Sequence, residues 1–409
     1  MSQAAPVIRP PGHRGECLHG YRPSQATLSM SPATGEDVIR VDDKLLSDII
    51  ANQLGEVFYM GDIYRMAGTR LPLNPSDFSG ARGAFHAGVF GPSGVGKSVF
   101  TTYYIAGQMR HENLGILVID PQGQWATNNG FAFDLHDLAR VLGREVVIKS
   151  LAREVRLPQD KYLFLELLLK TRFFGPGGLN IRTGPAIEAA RSAVEDALSE
   201  PKWSELSPGD LLDLILTALA KATEAGDIYK DLKKNDKTGE FKPEGAGWKL
   251  LCLIREVLDI SGDRRSGFIR TMLPVASLFG PQTPDGRIRM KMERLLHLAL
   301  DRTQPRPYIV LNMAAEEPGE DADEDAQALA KALNSDSVRA RILRTLFDRL
   351  ERISGEEYRK GEKLLNSLVV FDEAWRYAPK SSSDDEIKAL SNKLAEYARE
   401  TRKYGVGWM

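Results

Sequence analysis

The segment from Ala84 to Phe100, A-F-H-A-G-V-F-G-P-S-G-V-G-K-S-V-F, constrains this chain more than any other. A short apolar run, Ala87 to Phe90, enters Gly91-Pro92-Ser93-Gly94-Val95-Gly96-Lys97-Ser98, and a helix-compatible run, Val99 to Arg110, leaves it. The spacing is G-x-x-x-x-G-K-[ST], in the order strand, glycine loop, helix. Glycines let backbone N–H groups turn inward around a phosphate with no Cβ in the way. The helix N-terminus adds further donors and a partial positive charge. The loop therefore predicts a nucleotide-phosphate cradle formed by Gly91, Pro92, Ser93, Gly94, Val95, Gly96, Lys97, Ser98 and Val99. Lys97 is the expected contact to the β- and γ-phosphates of ATP, and the Ser98 hydroxyl the expected ligand to Mg²⁺.

A second constellation lies far downstream. Leu368-Val369-Val370-Phe371 is an apolar run ending in Asp372-Glu373-Ala374. A carboxylate at a strand tip can hold Mg²⁺, and the next one can orient or deprotonate an attacking water. With Lys97 upstream, Asp372 reads as the metal carboxylate and Glu373 as the water-activating one, a Walker B element. Alone, the same residues would read as a strand followed by a helix-capping Asp.

Other apolar runs fit strands buried on both faces of a parallel sheet: Leu114 to Ile119, Val146 to Ile148 and Tyr308 to Met313. Asp120 follows the first and precedes Pro121-Gln122-Gly123. Strand ends gather functional groups in open α/β sheets, so Asp120 is a ligand-site candidate. It is equally a turn-former before proline. The run Ala398 to Gly407 contains Arg402, placed either to stabilise γ-phosphate charge or as a basic helix C-terminus favourable to the dipole.

The 409 residues leave room for several domains. Residues 1–35 are rich in Pro, Gly, Ser and Gln and read as a flexible segment. Residues 36–80 suggest a small β-containing module, with a helix near Lys44–Leu54 and strands at Val57–Met60 and Ile63–Met66 around a Gly61-Asp62 turn. Residues 81–152 and 306–409 carry the α/β pattern. Between them, 153–305 reads as a helical insertion, with apolar residues recurring at three and four in segments such as Pro185–Leu198 and Leu211–Thr223. Two basic stretches in it, Lys230 to Lys242 and Arg287 to Lys291, are either phosphate-backbone contacts or solvated faces.

Net charge is −2, which advertises no global field for nucleic acid or an acidic membrane. The two cysteines, Cys17 and Cys252, fit no disulfide framework or zinc pattern, in keeping with a reducing cytoplasm. The sequence has no run of eighteen or more apolar residues, so it offers no candidate bilayer span.

Taken together, these motifs resemble the HerA branch of the HerA/FtsK superfamily. The match rests on His86 before the loop, Asp120-Pro121-Gln122-Gly123 one strand later, Val370-Phe371-Asp372-Glu373-Ala374 followed by Pro379, and Ala398-Arg399-Glu400-Thr401-Arg402-Lys403-Tyr404-Gly405. Phe85 stands where many members have arginine, and Gln124 where glutamate is usual. The resemblance implies an α/β, RecA-like P-loop NTPase core with a largely helical insertion and a small β-containing N-terminal module. It implies a homo-hexameric ring that uses ATP and Mg²⁺ to move double-stranded DNA, with a NurA-like nuclease or other defence effector as partner. Catalysis would use Lys97 and Glu373, with Arg402 sensing the γ-phosphate and Ser98 and Asp372 holding the metal. It further implies more chain beyond Met409, where this sequence stops inside an apolar run. Two alternatives stay open: a nucleotide-dependent scaffold for an effector enzyme, and a conjugation or secretion motor.

Overall fold

The computed structural model describes residues 58–62, 70–73 and 78, and residues 83–409 except 93, 132, 201, 236–237, 260–262, 284, 315–321, 362 and 380. The expected flexible segment 1–35, the helix at 44–54 and the strand at 63–66 lie outside the described residues. The chain divides into two compact units. One comprises Met1–Ser76 and Gly91–His111, the other Asp77–Phe90 and Glu112–Met409.

In the first unit, β1 (Phe58–Asp62) pairs antiparallel with β2 (Arg70–Leu73). The expected turn at Gly61-Asp62 instead lies inside β1, where the register shifts between Tyr59 and Asp62. Gly61 has φ +144°, a conformation open to glycine, so this position takes a bulge rather than a turn. The same unit contains α1 (Lys97–Gln108), the helix that follows the glycine loop. Tyr104 of α1 meets the buried Phe58 edge-on, with ring centroids 6.1 Å apart.

The second unit is built on a five-stranded parallel sheet. Its strands are β3 (Gly115–Asp120), β4 (Val146–Ser150), β5 (Tyr308–Asn312), β6 (Ser367–Phe371) and β7 (Val406–Trp408), in the order β4-β5-β3-β6-β7. Every residue of β3 and β6 is buried. Their unbroken apolar runs are what a strand covered on both faces requires.

Between β3 and β4 run a single turn, α2 (Gln124–Thr127), and α3 (Leu135–Val141). Six helices then separate β4 from β5: α4 (Lys161–Leu168), α5 (Gly184–Ala197), α6 (Pro208–Ala225), α7 (Gly245–Leu258), α8 (Asp263–Phe279) and α9 (Met292–Leu300). Helix α6 shows why they form. Ser207 caps it by accepting from Asp210 N, Pro208 occupies the first turn, and Gly226 closes it at φ +83°. Leu211, Leu212, Ile215, Leu216 and Leu219 make its buried stripe. After β5 come α10 (Glu324–Leu333), α11 (Asp336–Gly361) and, after β6, α12 (Asp385–Arg402). Helices α9, α10 and α11 extend the sequence reading.

Two buried arginines, Arg144 and Arg306, secure the amino ends of the central strands. Arg306 is 1% exposed and donates to Ala299 O at 2.8 Å, Asn366 O at 2.6 Å and Ser367 Oγ at 2.8 Å. Arg144 donates to Leu114 O and to Arg306 O, each at 2.8 Å. Burial, helped by the charge of Arg144, lowers the Arg306 pKa to about 9. The guanidinium fork supplies the donors that several converging carbonyls need at once.

Candidate functional site

The glycine loop is built by local conformation. Gly94 and Gly96 sit at φ +80° and +90°, left-handed positions where a Cβ would be strained. Gly96 is the residue before α1, and Phe100 N donates back to its carbonyl at 2.9 Å. The loop therefore turns directly into a helix N-terminus. Lys97 Nζ donates to Pro92 O at 2.9 Å, which leaves two of its three ammonium protons for other acceptors. Ser98 and Val99 are exposed. Ser98 O accepts from Thr102 Oγ1 at 2.7 Å, so the backbone of the first helical turn is fixed while the serine hydroxyl stays available. Ser93 lies outside the described residues.

In the second unit the segment around His86 and Ala87 lies on the open side of β7. His86 forms a parallel bridge with Trp408, and Ala87 N donates to Trp408 O at 2.8 Å. The expected strand Ala87–Phe90 is reduced to that bridge. Trp408 N donates not to a backbone carbonyl but to His86 Nδ1, at 3.2 Å, so the ladder stops there. Burial, and then the charge of Arg402, lower the His86 pKa. An amide aimed at Nδ1 places the imidazole proton on Nε2.

The carboxylate pair sits at the tip of β6. Asp372 N donates to Ile119 O at 3.2 Å, which ties the tip of β6 to β3. Asp372 Oδ2 accepts from Trp125 Nε1 at 2.8 Å, and Oδ1 accepts from Glu373 N at 2.9 Å. Glu373 adopts φ +53°, a left-handed conformation uncommon for a residue with a Cβ. Strain of this kind gathers at functional turns. Glu373 Oε2 accepts from Trp375 Nε1 at 2.5 Å. Each carboxylate is thus held by a tryptophan indole. Trp125 is 1% exposed, and Trp375 is 69% exposed.

The loop after β3 presents Trp125. Asp120 is fully buried. Its Oδ1 accepts from Gly123 N at 2.8 Å and its Oδ2 from Ala126 N at 2.9 Å. Of the two sequence readings of Asp120, the turn-former is the one its contacts match. Burial raises its pKa despite the bonds from Ala126 and Gly123, and nearby Asp372 adds to the rise. His136 Nε2 donates to Trp125 O at 2.9 Å, and Phe131 packs on the indole at 4.6 Å.

Arg402 ends α12, is exposed, and donates Nε to Ala84 O at 2.8 Å. That bond ties the C-terminus of α12 to the chain entering the glycine loop. The sequence reading missed Trp125, His136 and Trp375. Their only signal was an aromatic two residues beyond Gly123 and another two beyond Glu373, a pattern with no meaning until the side chains are placed.

Residues 61–237 match the family model described as helicase HerA, central domain. Among solved structures, the chain is similar to VirB4 of Thermoanaerobacter pseudethanolicus at 15% identity, over 87% of this chain and 76% of that one, with a TM-score of 0.37. That superposition is too loose to carry argument. No curated protein sequence matches. The glycine loop and its helix fall inside the residues similar to the HerA central domain, while the tip of the parallel sheet at Asp372 and Glu373 lies beyond them.

Proposed function

We propose that this protein is an ATP-hydrolysing ring motor of the HerA type that translocates double-stranded DNA, acting with a nuclease or other effector. The observation that carries the reading is the adjacent carboxylate pair at the tip of a buried parallel strand, in a chain whose glycine loop turns directly into a helix. Gly91 to Val99 cradle the phosphates, and Lys97 neutralises charge on the β- and γ-oxygens. Glu373 orients or deprotonates water. Arg402 answers to γ-phosphate charge. The protein works as a homo-hexamer in the cytoplasm.

Mg²⁺ is the metal such a site uses, supplying charge neutralisation on the β- and γ-phosphate oxygens. The residues present fit it. Ser98 offers an exposed hydroxyl. Asp372 is a carboxylate with two of its roughly four lone-pair directions taken, so two hard oxygen sites remain.

A cleft at the carboxyl ends of β4 and β5 supports the DNA reading. It has a volume of about 1040 Å³ and is lined by seven basic side chains against two carboxylates. Arg156, Arg287, Lys291 and Arg294 are among them. A concave surface with an excess of positive charge concentrates a phosphate backbone. Arg289 is the exception in the basic stretch 287–291. It is buried and donates to Ala152 O at 2.7 Å, a structural role.

The test is ATP hydrolysis with and without linear duplex DNA, in the wild type, Lys97→Ala and Glu373→Gln. Turnover that rises with duplex and disappears in both variants is the expected result. Turnover indifferent to duplex but lost in both variants would sink the DNA motor in favour of a scaffold or another cargo.

A further inference from the structure

The two indoles that hold the carboxylate pair differ in what surrounds them. Trp125 is enclosed, packed by Phe131 and fixed through its carbonyl by His136. Its bond to Asp372 is part of the interior. Trp375 is 69% exposed and lies on the short turn Ala374–Arg376. Arg376 lies 6.0 Å from its ring centroid. Its indole N–H reaches back two residues to Glu373 Oε2 at 2.5 Å.

From this asymmetry we infer that Trp375 is a latch on Glu373: a positioning residue whose indole restrains the carboxylate and, lying at the surface, can swing clear of it. The inference rests on the proposed role of Glu373 in activating water and adds a regulation of that site. The indole bond takes one lone-pair direction of Glu373 and holds its carboxylate in one orientation, so that it does not turn freely toward a water. Three further features place Glu373 under restraint. Its backbone is in the left-handed region, its amide is committed to Asp372 Oδ1, and its side chain is returned along its own turn rather than to any other element. The ring is 69% exposed, so the indole can turn away from Glu373 without displacing core packing.

The experiment uses the full chain with Trp375→Phe, which keeps an aromatic ring and removes the donor. At saturating ATP the latch predicts that kcat rises about three- to tenfold, the factor one modest hydrogen bond is worth. KM for ATP should stay unchanged, because Trp375 is not among the residues proposed to bind phosphate. A parallel measurement follows the Trp375 indole ¹⁵N–¹H resonance, assigned by its loss in Trp375→Phe. It should shift in Glu373→Gln. An unchanged or lower kcat in Trp375→Phe, with the wild type turning over, overturns the latch and leaves the ATPase reading intact. An indole resonance indifferent to Glu373→Gln also overturns it. No turnover in either protein overturns the latch, and ATP binding measured separately then decides whether the ATPase reading falls with it.

Discussion

Trp125 Nε1 donates to Asp372 Oδ2 at 2.8 Å, joining two residues 247 positions apart in sequence. The bond couples the loop after β3 to the tip of β6, strands that are already neighbours in the sheet. It fixes one oxygen of the carboxylate proposed to hold metal, from the interior side. The orientation of Asp372 is therefore set by a residue outside the phosphate-binding and Walker B motifs.

Trp125→Phe tests that coupling. Phenylalanine keeps most of the ring packing on Phe131 but leaves one oxygen of Asp372 without its donor. Loss of about 1–2 kcal/mol of stability is expected, with a clear drop in Mg²⁺-dependent turnover. Denaturant unfolding and a Mg²⁺ titration of ATPase activity check it. A stable variant with unchanged Mg²⁺ response would show that Asp372 orients itself.

Glu373 gives a prediction in which stability and activity move in opposite directions. Its backbone at φ +53° is strained for any residue with a Cβ. Glu373→Gly should raise stability by up to about 1 kcal/mol while abolishing hydrolysis. Glu373→Gln should abolish hydrolysis with little change in stability. Thermal melts of the three proteins side by side separate strain from chemistry.

Lys97 makes one exposed bond, to Pro92 O. Lys97→Ala should therefore leave the melting temperature nearly unchanged and weaken ATP binding at least about tenfold, the loss expected when a charge-assisted contact to phosphate is removed. Calorimetric titration with ATP reads the effect directly. Unweakened binding would contradict the phosphate role.

Arg306 predicts the opposite profile, structural and severe. Arg306→Met removes the donors from Ala299 O, Asn366 O and Ser367 Oγ in a fully buried setting. Stranding several buried acceptors should cost about 3 kcal/mol or more. Urea unfolding midpoints are the measurement, and a neutral result would mean water takes over the carbonyls.

His86 sets a pH dependence. Its folded pKa is lowered below the ordinary histidine value of about 6.5, first by burial and then by Arg402. Above 6.5 both folded and unfolded chains carry a neutral imidazole, and the contribution to stability is complete. As pH falls below 6.5 the unfolded chain takes up the proton first, so stability declines until the folded pKa is passed. The stability lost between pH 7.5 and 5.5 should be smaller in His86→Gln than in the wild type. Equal losses would mean that His86 does not carry this dependence.

The sequence by itself determined the elements whose signal is local. The loop Gly91–Ser98 needs glycines at left-handed positions, and that need is written in residue type. The strands β3, β5 and β6 are apolar along nearly their whole length because both faces are covered, so length and composition suffice to find them. Adjacent carboxylates at a strand tip are legible for the same reason.

Only the tertiary structure decided what depends on residues far apart in the chain. The two readings of Asp120 were indistinguishable until its oxygens met Gly123 N and Ala126 N. The strand expected at Ala87–Phe90 shrank to one bridge because an imidazole took the amide of Trp408. The indole grip on Asp372 spans most of the chain. No period or propensity encodes such pairings, because they are fixed by which strands lie side by side and which side chains then fall within hydrogen-bond reach.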